Sequence, residues 1–569
     1  MRESSRQSSR QSSRQITTVG VIGLGTMGAG IVEVFARGGL RVIGVETTQE
    51  YADRGRGILQ ASTDRAVARG KLDEAGQAQI LDRITISTDL GDLKDADLVV
   101  EAVPEVMGLK HEVFGKLDDI VAEDAVLASN TSSLSITSIA AGTRHPERVV
   151  GLHFFNPAPI LKLVEVITTV RTDPALTDAV VALSEQIGKK PVVVGDRAGF
   201  VANYLLFGYF VSALRMLEQG HVSREDLDTA MRVGAGLPMG PCTLMDLVGL
   251  DVCHHIGDVI YSHTRSQMHA PSPMLERMVT AGLLGRKSGR GFYTYAKAGS
   301  GQVVEDEQTP AAPEGSGLSA VGVLGAGEVA DELASRLQEG GYAVTRVTDP
   351  GEDAELARLA DVGLVIEAVA APEAPTDEEL EDGSLWVEEA DDDLWERLGE
   401  AVGPDTVLAA VNPDAAVVVG ALSGRPEKAA VLSIHAPTNN GQVVEIGRSS
   451  ATDDATVALL REVVTRIGAE PVVCKDRAGL VVDALLMPHL GDAVRMLDEG
   501  YASVQDIDTA LQYGLGYPAG PFAMIDHIGA EEVLTVLEEL RAAGGLPADA
   551  VAPSPLLVEH VLLDRSFAG

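Results

Sequence analysis

The sequence predicts two tandem copies of one arrangement, each an α/β unit on a doubly wound, mostly parallel sheet followed by an all-helical unit. Three observations carry the prediction. An apolar strand, a glycine turn and a helix succeed one another from Thr17, in TVGVIGLGTMGAGIVEVFARGG; strand–helix alternation gives way to helical periodicity at Gly199; and both patterns return in the second half. The duplication is plainest where residues 226–251, DLDTAMRVGAGLPMGPCTLMDLVGLD, recur at 506–530 as DIDTALQYGLGYPAGPFAMIDHIGA. Each copy is thereby a control for the other, since a polar residue that only one copy keeps is not needed for folding.

Residues 1–16 are rich in serine and arginine and lack an apolar stretch, which excludes a secretory signal. They read as a disordered tail, with a transit peptide as the alternative. Residues 17–198 form the first α/β domain. After the glycine turn and the strand RVIGVE, residues 49–81 alternate charged and small residues at helical spacing and predict an exposed helical hairpin. ADLVVEAV, AVLASNTSS and RVVGLHFFNP supply further strands, and KLVEVI and KPVVVGD add two at the far edge. Residues 199–297, opening on GFVANYLLFGYFVSALRMLEQG, form the helical domain. A Gly-, Pro-, Ser- and acid-rich stretch at 298–317 predicts a linker. Residues 318–478 then repeat the α/β domain and residues 479–569 the helical one.

At 569 residues the chain is too long for one core, and four domains fit its length. A formal charge of −39 repels a phosphate backbone and an anionic membrane surface, so neither nucleic acid nor membrane is an expected partner. No apolar run has membrane-spanning length. Cys242, Cys253 and Cys474 form no paired motif, which points to a reducing compartment, the cytoplasm by default. The cluster Cys253, His254, His255, His263 and His269 has no metal-site spacing, and no metal is expected.

The turn Gly23-Leu24-Gly25-Thr26-Met27-Gly28 gains meaning from its place between a strand and a helix. Gly23 permits the tight turn, Gly25 lets backbone approach a pyrophosphate, and Gly28 allows close packing of helix on strand, with phosphates at the helix N-terminus. This is a Rossmann-type dinucleotide signature. Glu46, ending the second strand, suits the ribose hydroxyls and repels a 2′-phosphate, favouring NAD over NADP. His153 ends one strand and Glu165 lies on the next, a spacing that lets a carboxylate orient a neutral imidazole base; a structural histidine is the alternative. Asn130-Thr131-Ser132-Ser133 ends the preceding strand at the sheet edge where ligands bind, and Asn203 opens the helical domain facing the same crevice.

Taken in order, GLGTMGAG, VVEAVPE, ASNTSSLSIT, GLHFFNP, KLVEV, GFVAN, PMGP and RKSGRGFY make residues 17–295 resemble the (S)-3-hydroxyacyl-CoA dehydrogenase family. The resemblance implies that His153 takes the 3-hydroxyl proton, that Glu165 supports the resulting imidazolium, and that Ser132 and Asn203 hold the substrate's oxygens. It implies that Glu105, Lys110, Asn156 and Lys287 line the NAD site and that Ser62 and Arg69 or Lys71 reach the CoA moiety of an acyl-CoA substrate. A short acyl chain, as in 3-hydroxybutyryl-CoA, is a prior from free-standing relatives. The alternatives are another 3-hydroxy acid, a carrier-protein-bound 3-hydroxyacyl unit, or a non-catalytic dinucleotide-binding scaffold.

Copy two keeps Gly325, Ala326 and Gly327 but has Ala330 in place of the third glycine, and Asp349 keeps an acid at the second strand's end. Seventy-six residues separate Gly25 from Glu101 but only 40 separate Gly327 from Glu367, so the helical hairpin is gone. Residues 373–393 hold eleven acids and no base, a charge that would repel CoA phosphates. Asn412-Pro413-Asp414-Ala415 replaces the NTSS segment and Asp483 stands for Asn203, while His435 and Glu445 read as a surviving pair with a shortened turn. The chain reads as ending before any counterpart of RKSGRGFY. A structural second copy and one active site per chain follow, with the helical domains paired as a pseudo-dimer that sets Phe207, Tyr209 and Met216 near Met487, Leu490 and Met496. Further homo-oligomerisation stays open.

Overall fold

The computed structural model describes residues 16–307, 309, 315–369, 392–411 and 415–567. The tail up to residue 15, most of the acidic insertion and residues 412–414 of the NTSS counterpart lie outside the described residues.

The first sheet has eight strands: β1 (Thr18–Ile22), β2 (Arg41–Val45), β3 (Ile84–Ser87), β4 (Leu98–Glu101), β5 (Val126–Ser129), β6 (Val149–Phe154), β7 (Leu163–Thr168) and β8 (Lys190–Gly195), in the order β3-β2-β1-β4-β5-β6-β7-β8. β1, β4 and β5 are buried at every position, as expected of parallel strands covered by helices on both faces. All neighbours run parallel except β6 and β7, and that one reversal sets His153 opposite Glu165 in register. The expected hairpin is present as helices Gln49–Ala68 and Glu74–Asp82, clasped by Gln77 donating to Thr63 and Asp64 at 3.0 and 2.6 Å. The short edge strand β3 was not anticipated; its four residues alternate too weakly to register as a strand.

The helical domain is built round Ala202–Glu218, a helix apolar on almost every face and accordingly buried on nearly all of them. Part of the stretch predicted as linker is ordered. β9 (Thr294–Tyr295) pairs antiparallel with β10 (Val303–Val304), and Asp306 holds Arg224 at 2.5 Å.

The second sheet, β11 (Ala320–Leu324), β12 (Ala343–Val347), β13 (Leu364–Glu367), β14 (Val407–Ala410), β15 (Ala429–Ile434), β16 (Val443–Arg448) and β17 (Glu470–Lys475), repeats the order without a β3 equivalent. Among the described residues neither a counterpart of β3 nor a helical hairpin stands between β12 and β13.

The copies meet along Ala202–Glu218 and its counterpart Val482–Asp498. The Tyr209 ring lies 5.5 Å from His489, and Met216 shares a cavity of about 480 Å³ with Leu480 and Leu540. Phe207 meets Phe210 edge-on and faces Gly257 of its own domain. Each helical domain also docks on the other copy's sheet. Val222 bridges to Cys474, Arg461 pairs with Asp226 at 2.8 Å, and Arg197 pairs with Glu499 at 2.8 Å.

Candidate active site

The glycine turn behaves as its spacing predicted. Gly23 has φ +86, and a Cβ there would sit 2.8 Å from the Ala102 carbonyl oxygen; a Cβ on Gly28 would lie 1.7 Å from that of Gly23. Gly25 faces open space, with nothing within 4 Å of an added Cβ, so a ligand can approach its backbone. Thr26 is exposed and Met27 partly so at the start of helix Thr26–Arg37, whose first turn carries no acid. Glu46 reaches back to this turn, accepting from the Leu24 N–H at 2.6 Å and the Thr47 N–H at 3.1 Å. The open face at Gly25 and a first helical turn without an acid fit a pyrophosphate, and the Glu46 carboxylate at the end of β2 suits a ribose.

His153 donates from Nδ1 to Glu165 Oε2 at 2.7 Å, and the carboxylate is fully buried. Glu165 Oε1 accepts the Val201 and Ala202 amides at 3.0 and 3.1 Å, so the acid also caps the helix that carries Asn203 in its first turn. His153 Nε2 has no hydrogen-bond partner among the described residues, and the ring is wedged against Phe155 at 4.4 Å and Phe200 at 5.6 Å. With Nδ1 carrying the proton, Nε2 presents a lone pair.

Beside the dyad, the loop after β5 is held from below. Glu105 accepts from the Ser132 N–H at 3.0 Å, from the Ser133 hydroxyl at 3.2 Å and from the Thr131 hydroxyl. Burial opposes ionisation of Glu105, but the Lys110 charge and these donors outweigh it and hold its carboxyl below the usual range. Lys110 is 1% exposed and bridges Glu101 at 2.8 Å and Glu105 at 3.1 Å. Its ammonium thus supports the loop from beneath. Glu101, which sequence reasoning did not single out, also takes the Ser129 hydroxyl at 2.6 Å and the Val103 N–H at 2.7 Å. An acid inside the apolar run DLVVEAV was the signal for it. Asn130 was read only as part of a polar segment; its side chain accepts the Phe154 N–H at 2.8 Å and ties β5 to β6.

The other sequence-derived residues divide. Asn156 is exposed just after the dyad strand. Ser62 is half-buried on the hairpin and Arg69 and Lys71 are exposed at its tip. Lys287 is 45% exposed and pairs with Asp251 within the helical domain.

Copy two departs further than its sequence suggested. Ser433, not His435, pairs in register with Glu445, so the position of His153 is a serine. His435 comes from two residues further on and reaches Glu445 through Nε2 at 2.6 Å. His435 and Glu445 do form a pair, but the shortened turn is corrected, since the strand connection has the same register in both copies and His435 lies beyond it. Burial would lower the His435 pKa, but Glu445 and Asp483 raise it above the ordinary value, and burial pushes Asp483 up to about 6. The first turn of helix Glu328–Glu339 carries Glu328 and Asp331, which oppose a phosphate, and Asp349 turns to its own loop at Gly351. The chain's end does hold a remnant of the RKSGRGFY segment. Phe567 donates to Asp526 at 2.8 Å as Phe292 donates to Asp246 at 2.9 Å, without a lysine equivalent to Lys287.

The model for the 3-hydroxyacyl-CoA dehydrogenase NAD-binding domain matches residues 18–197 and 387–477, and that for the 3-hydroxyacyl-CoA dehydrogenase C-terminal domain matches 199–295 and 479–566. In copy two the match begins beyond the glycine turn. A 3-hydroxybutyryl-CoA dehydrogenase of Mycobacterium tuberculosis is 48% identical over 282 residues, 49% of this chain and 99% of the relative. A 3-hydroxyadipyl-CoA dehydrogenase of Escherichia coli is 32% identical over 553 residues, spanning 97% of this chain and 99% of the relative. The crystal structure of a 3-hydroxybutyryl-CoA dehydrogenase from Escherichia coli superposes with a TM-score of 0.70 at 30% identity, over 97% and 99% of the two chains.

Proposed function

Given that the chain belongs to the 3-hydroxyacyl-CoA dehydrogenase family, whose members are NAD-dependent oxidoreductases, we propose that copy one interconverts short-chain (S)-3-hydroxyacyl-CoA and 3-ketoacyl-CoA while copy two is structural. The observation that carries the reading is the His153–Glu165 pair at 2.7 Å with Nε2 unpartnered among the described residues. NAD, when bound, supplies the hydride acceptor. The residues to hold it are Gly23 to Gly28 and Glu46, with Glu105, Asn156 and Lys287 as further contacts and Lys110 acting through Glu105. His153 takes the 3-hydroxyl proton at Nε2 as the C3–H bond breaks, and Glu165 steadies the imidazolium; in reverse the same nitrogen returns the proton. Ser132 and Asn203 orient the substrate's oxygens, and Ser62 with Arg69 or Lys71 meets the CoA moiety.

In copy two His435 meets Glu445 through Nε2, so the nitrogen without a hydrogen-bond partner among the described residues is Nδ1, on an imidazole that lies two residues beyond the strand position of His153. The contacts between the helical domains support a pseudo-dimer within one chain, and three buried free cysteines suit a cytoplasmic location. Among the described residues no helix is long and apolar enough to cross a membrane.

The two-copy Escherichia coli relative favours a second reading, a 3-hydroxyadipyl-CoA substrate. NADH consumption with acetoacetyl-CoA, longer 3-ketoacyl-CoAs and 3-oxoadipyl-CoA separates the two. On the leading reading acetoacetyl-CoA has the highest kcat/KM, His153→Ala abolishes turnover, and His435→Ala changes stability alone. Equal loss in both variants removes the assignment of copy two as structural.

A further inference from the structure

Copy two has a contact with the catalytic dyad of copy one that the assignment of a structural partner does not use. The π-helical turn Leu511–Leu515 of copy two packs on β7 of copy one. A Cβ on Gly514 would lie 2.5 Å from Leu163 Cδ2 and 3.6 Å from Phe155 Cε1. Leu163 is two residues before Glu165 on the same strand, fully buried, and Phe155 is the ring tilted against His153 at 4.4 Å. Copy two thus presses on the strand that bears the acid and on the ring that backs the base.

A second contact reaches the same acid from the other side. Tyr501 of copy two donates to the Gly195 carbonyl at 2.8 Å, and Glu499 pairs with Arg197 at 2.8 Å. Those residues flank Asp196, which holds the amides of Ile136 and Thr137 and the Ser135 hydroxyl, at the start of the helix after the Ser132 loop. The segment from Gly195 also leads directly to Val201 and Ala202, whose amides fix Glu165. Tyr501 lies within electrostatic reach of Glu165: burial pushes its phenol pKa up, and the Glu165 charge adds to the shift.

The arrangement is reciprocal, which supplies a control. The matching turn of copy one, Ala230–Gly234, docks on copy two, and a Cβ on Gly234 would lie 2.8 Å from Val482 Cγ2 and 3.6 Å from Val443 Cβ. Val443 is two residues before Glu445, so Gly234 bears on the copy-two pair as Gly514 bears on the copy-one pair.

We propose that Gly514 and Tyr501 of copy two are positioning residues for the His153–Glu165 dyad of copy one, so that the active site of this chain is framed by both copies. This rests on the reading of His153 as the base. Leu163 Cδ2 occupies the volume that a Gly514 side chain would need, and Phe155 lies at contact distance behind it, so a side chain there would displace Leu163 on the strand of Glu165 and, once larger than a methyl group, the ring against His153. Tyr501 fixes the end of β8 from which the amides capping Glu165 are reached.

Full-length Gly514→Ala, Gly514→Val, Gly234→Ala, Gly234→Val, Tyr501→Phe and His153→Ala chains test it, with kcat, KM for NADH and acetoacetyl-CoA, the pH profile of kcat and Tm measured for each. A dyad displaced by about 1 Å loses on the order of 10- to 100-fold in kcat. We expect that loss for Gly514→Val, a smaller graded loss for Gly514→Ala, an altered pH profile for Tyr501→Phe, and KM for NADH within about twofold throughout. The Gly234 variants are expected to lower Tm comparably and leave kcat unchanged. Should Gly514→Val fail to fold, the Ala pair and Tyr501→Phe decide. The proposal is overturned if kcat follows Tm alike in the Gly514 and Gly234 series, or if neither Gly514→Ala nor Tyr501→Phe alters kcat or its pH profile. His153→Ala keeps the two ideas apart: turnover surviving it defeats the reading of the base itself, whereas turnover lost in it with matched glycine series defeats only the role of copy two.

Discussion

Glu165→Gln isolates what the acid does for the base, because the replacement has the same shape and no charge. In the folded protein Oε1 takes two backbone amides and Oε2 takes the His153 Nδ1 proton at 2.7 Å. A glutamine can keep its oxygen on the amides, but its NH₂ then points at Nδ1 and donates. The imidazole must turn its lone pair to Nδ1 and carry its proton on Nε2, which is the wrong tautomer for a base. Flipping the amide restores an acceptor for Nδ1–H but aims its NH₂ at the Val201 and Ala202 amides, leaving buried donors unpaired at about 1–3 kcal/mol each. Either orientation removes catalysis or stability, and the first is the cheaper. A tautomer fault of this kind costs on the order of 10⁴-fold in kcat where it has been isolated in a catalytic triad, and a loss of at least about 10³-fold is expected here. The assay is steady-state NADH oxidation with acetoacetyl-CoA over a pH series, alongside thermal unfolding. Glu445→Gln is the matched control, since Glu445 accepts the Val481 and Val482 amides at 3.0 and 3.2 Å in the same way and has no catalytic task in this scheme. Glu165→Gln retaining more than about a tenth of wild-type kcat would mean that the carboxylate does not set the tautomer.

Gly25→Ala adds a methyl group where no heavy atom lies within 4 Å, so Tm should hold while calorimetry shows weaker NADH binding; Gly28→Ala, with its Cβ 1.7 Å from the Gly23 oxygen, should lose both. Lys110→Met strands two carboxylates, one of them fully buried, and should destabilise by about 3–5 kcal/mol in chemical denaturation; unchanged stability would show that Glu101 and Glu105 share a proton instead. Asp492, buried between the long helices and paired with Arg495 at 2.7 Å, is raised by burial to about 7 against an unperturbed 3.8. Its proton is held in both states at pH below 3.8; as pH rises the unfolded chain ionises first, so stability falls through this window and stays lower above about 7. Asp492→Asn should therefore raise Tm at pH 8 relative to wild type and lose that advantage in acid, and a constant difference across pH would exclude this titration.

The residues whose geometry is local were legible in the sequence. Gly23, Gly25 and Gly28 follow from turn geometry and strand-to-helix packing, and His153 and Glu165 from their place at the ends of successive apolar runs. The misreadings concern partners distant in sequence or offset in register. His435 and Glu445 look like the catalytic pair when only identities are compared, and the two-residue slip appears once β15 and β16 are paired. Phe567 lacks the glycines that mark its counterpart, yet it holds Asp526 in the same way. That the Lys110 ammonium is held by Glu101 and Glu105 was likewise not legible, since the need of a carboxylate inside a strand for a cation appears only once β4 is buried. Ser62, Arg69 and Lys71 sit on a hairpin whose helical period was readable; which of its faces meets a ligand is not encoded in that period.

Why copy two keeps Glu445 after losing the imidazole opposite it follows from the second task of that acid. Helix Val482–Asp498 begins in the interior, where its first amides have no water to turn to, and Glu445 Oε1 supplies the acceptor. Removing the carboxylate would leave those donors unpaired, so packing preserves it whether or not chemistry occurs. A buried anion then needs a compensating proton or cation, and His435 provides one from two residues along while Ser433 occupies the vacated strand position. On the proposed function the acid is thus constrained by folding in both copies and the histidine's position by catalysis in copy one alone. Conservation of Glu165 between copies is, on this argument, no evidence of activity. The placement of the imidazole, and which of its nitrogens is left free, is the feature that tells a working site from a retained frame.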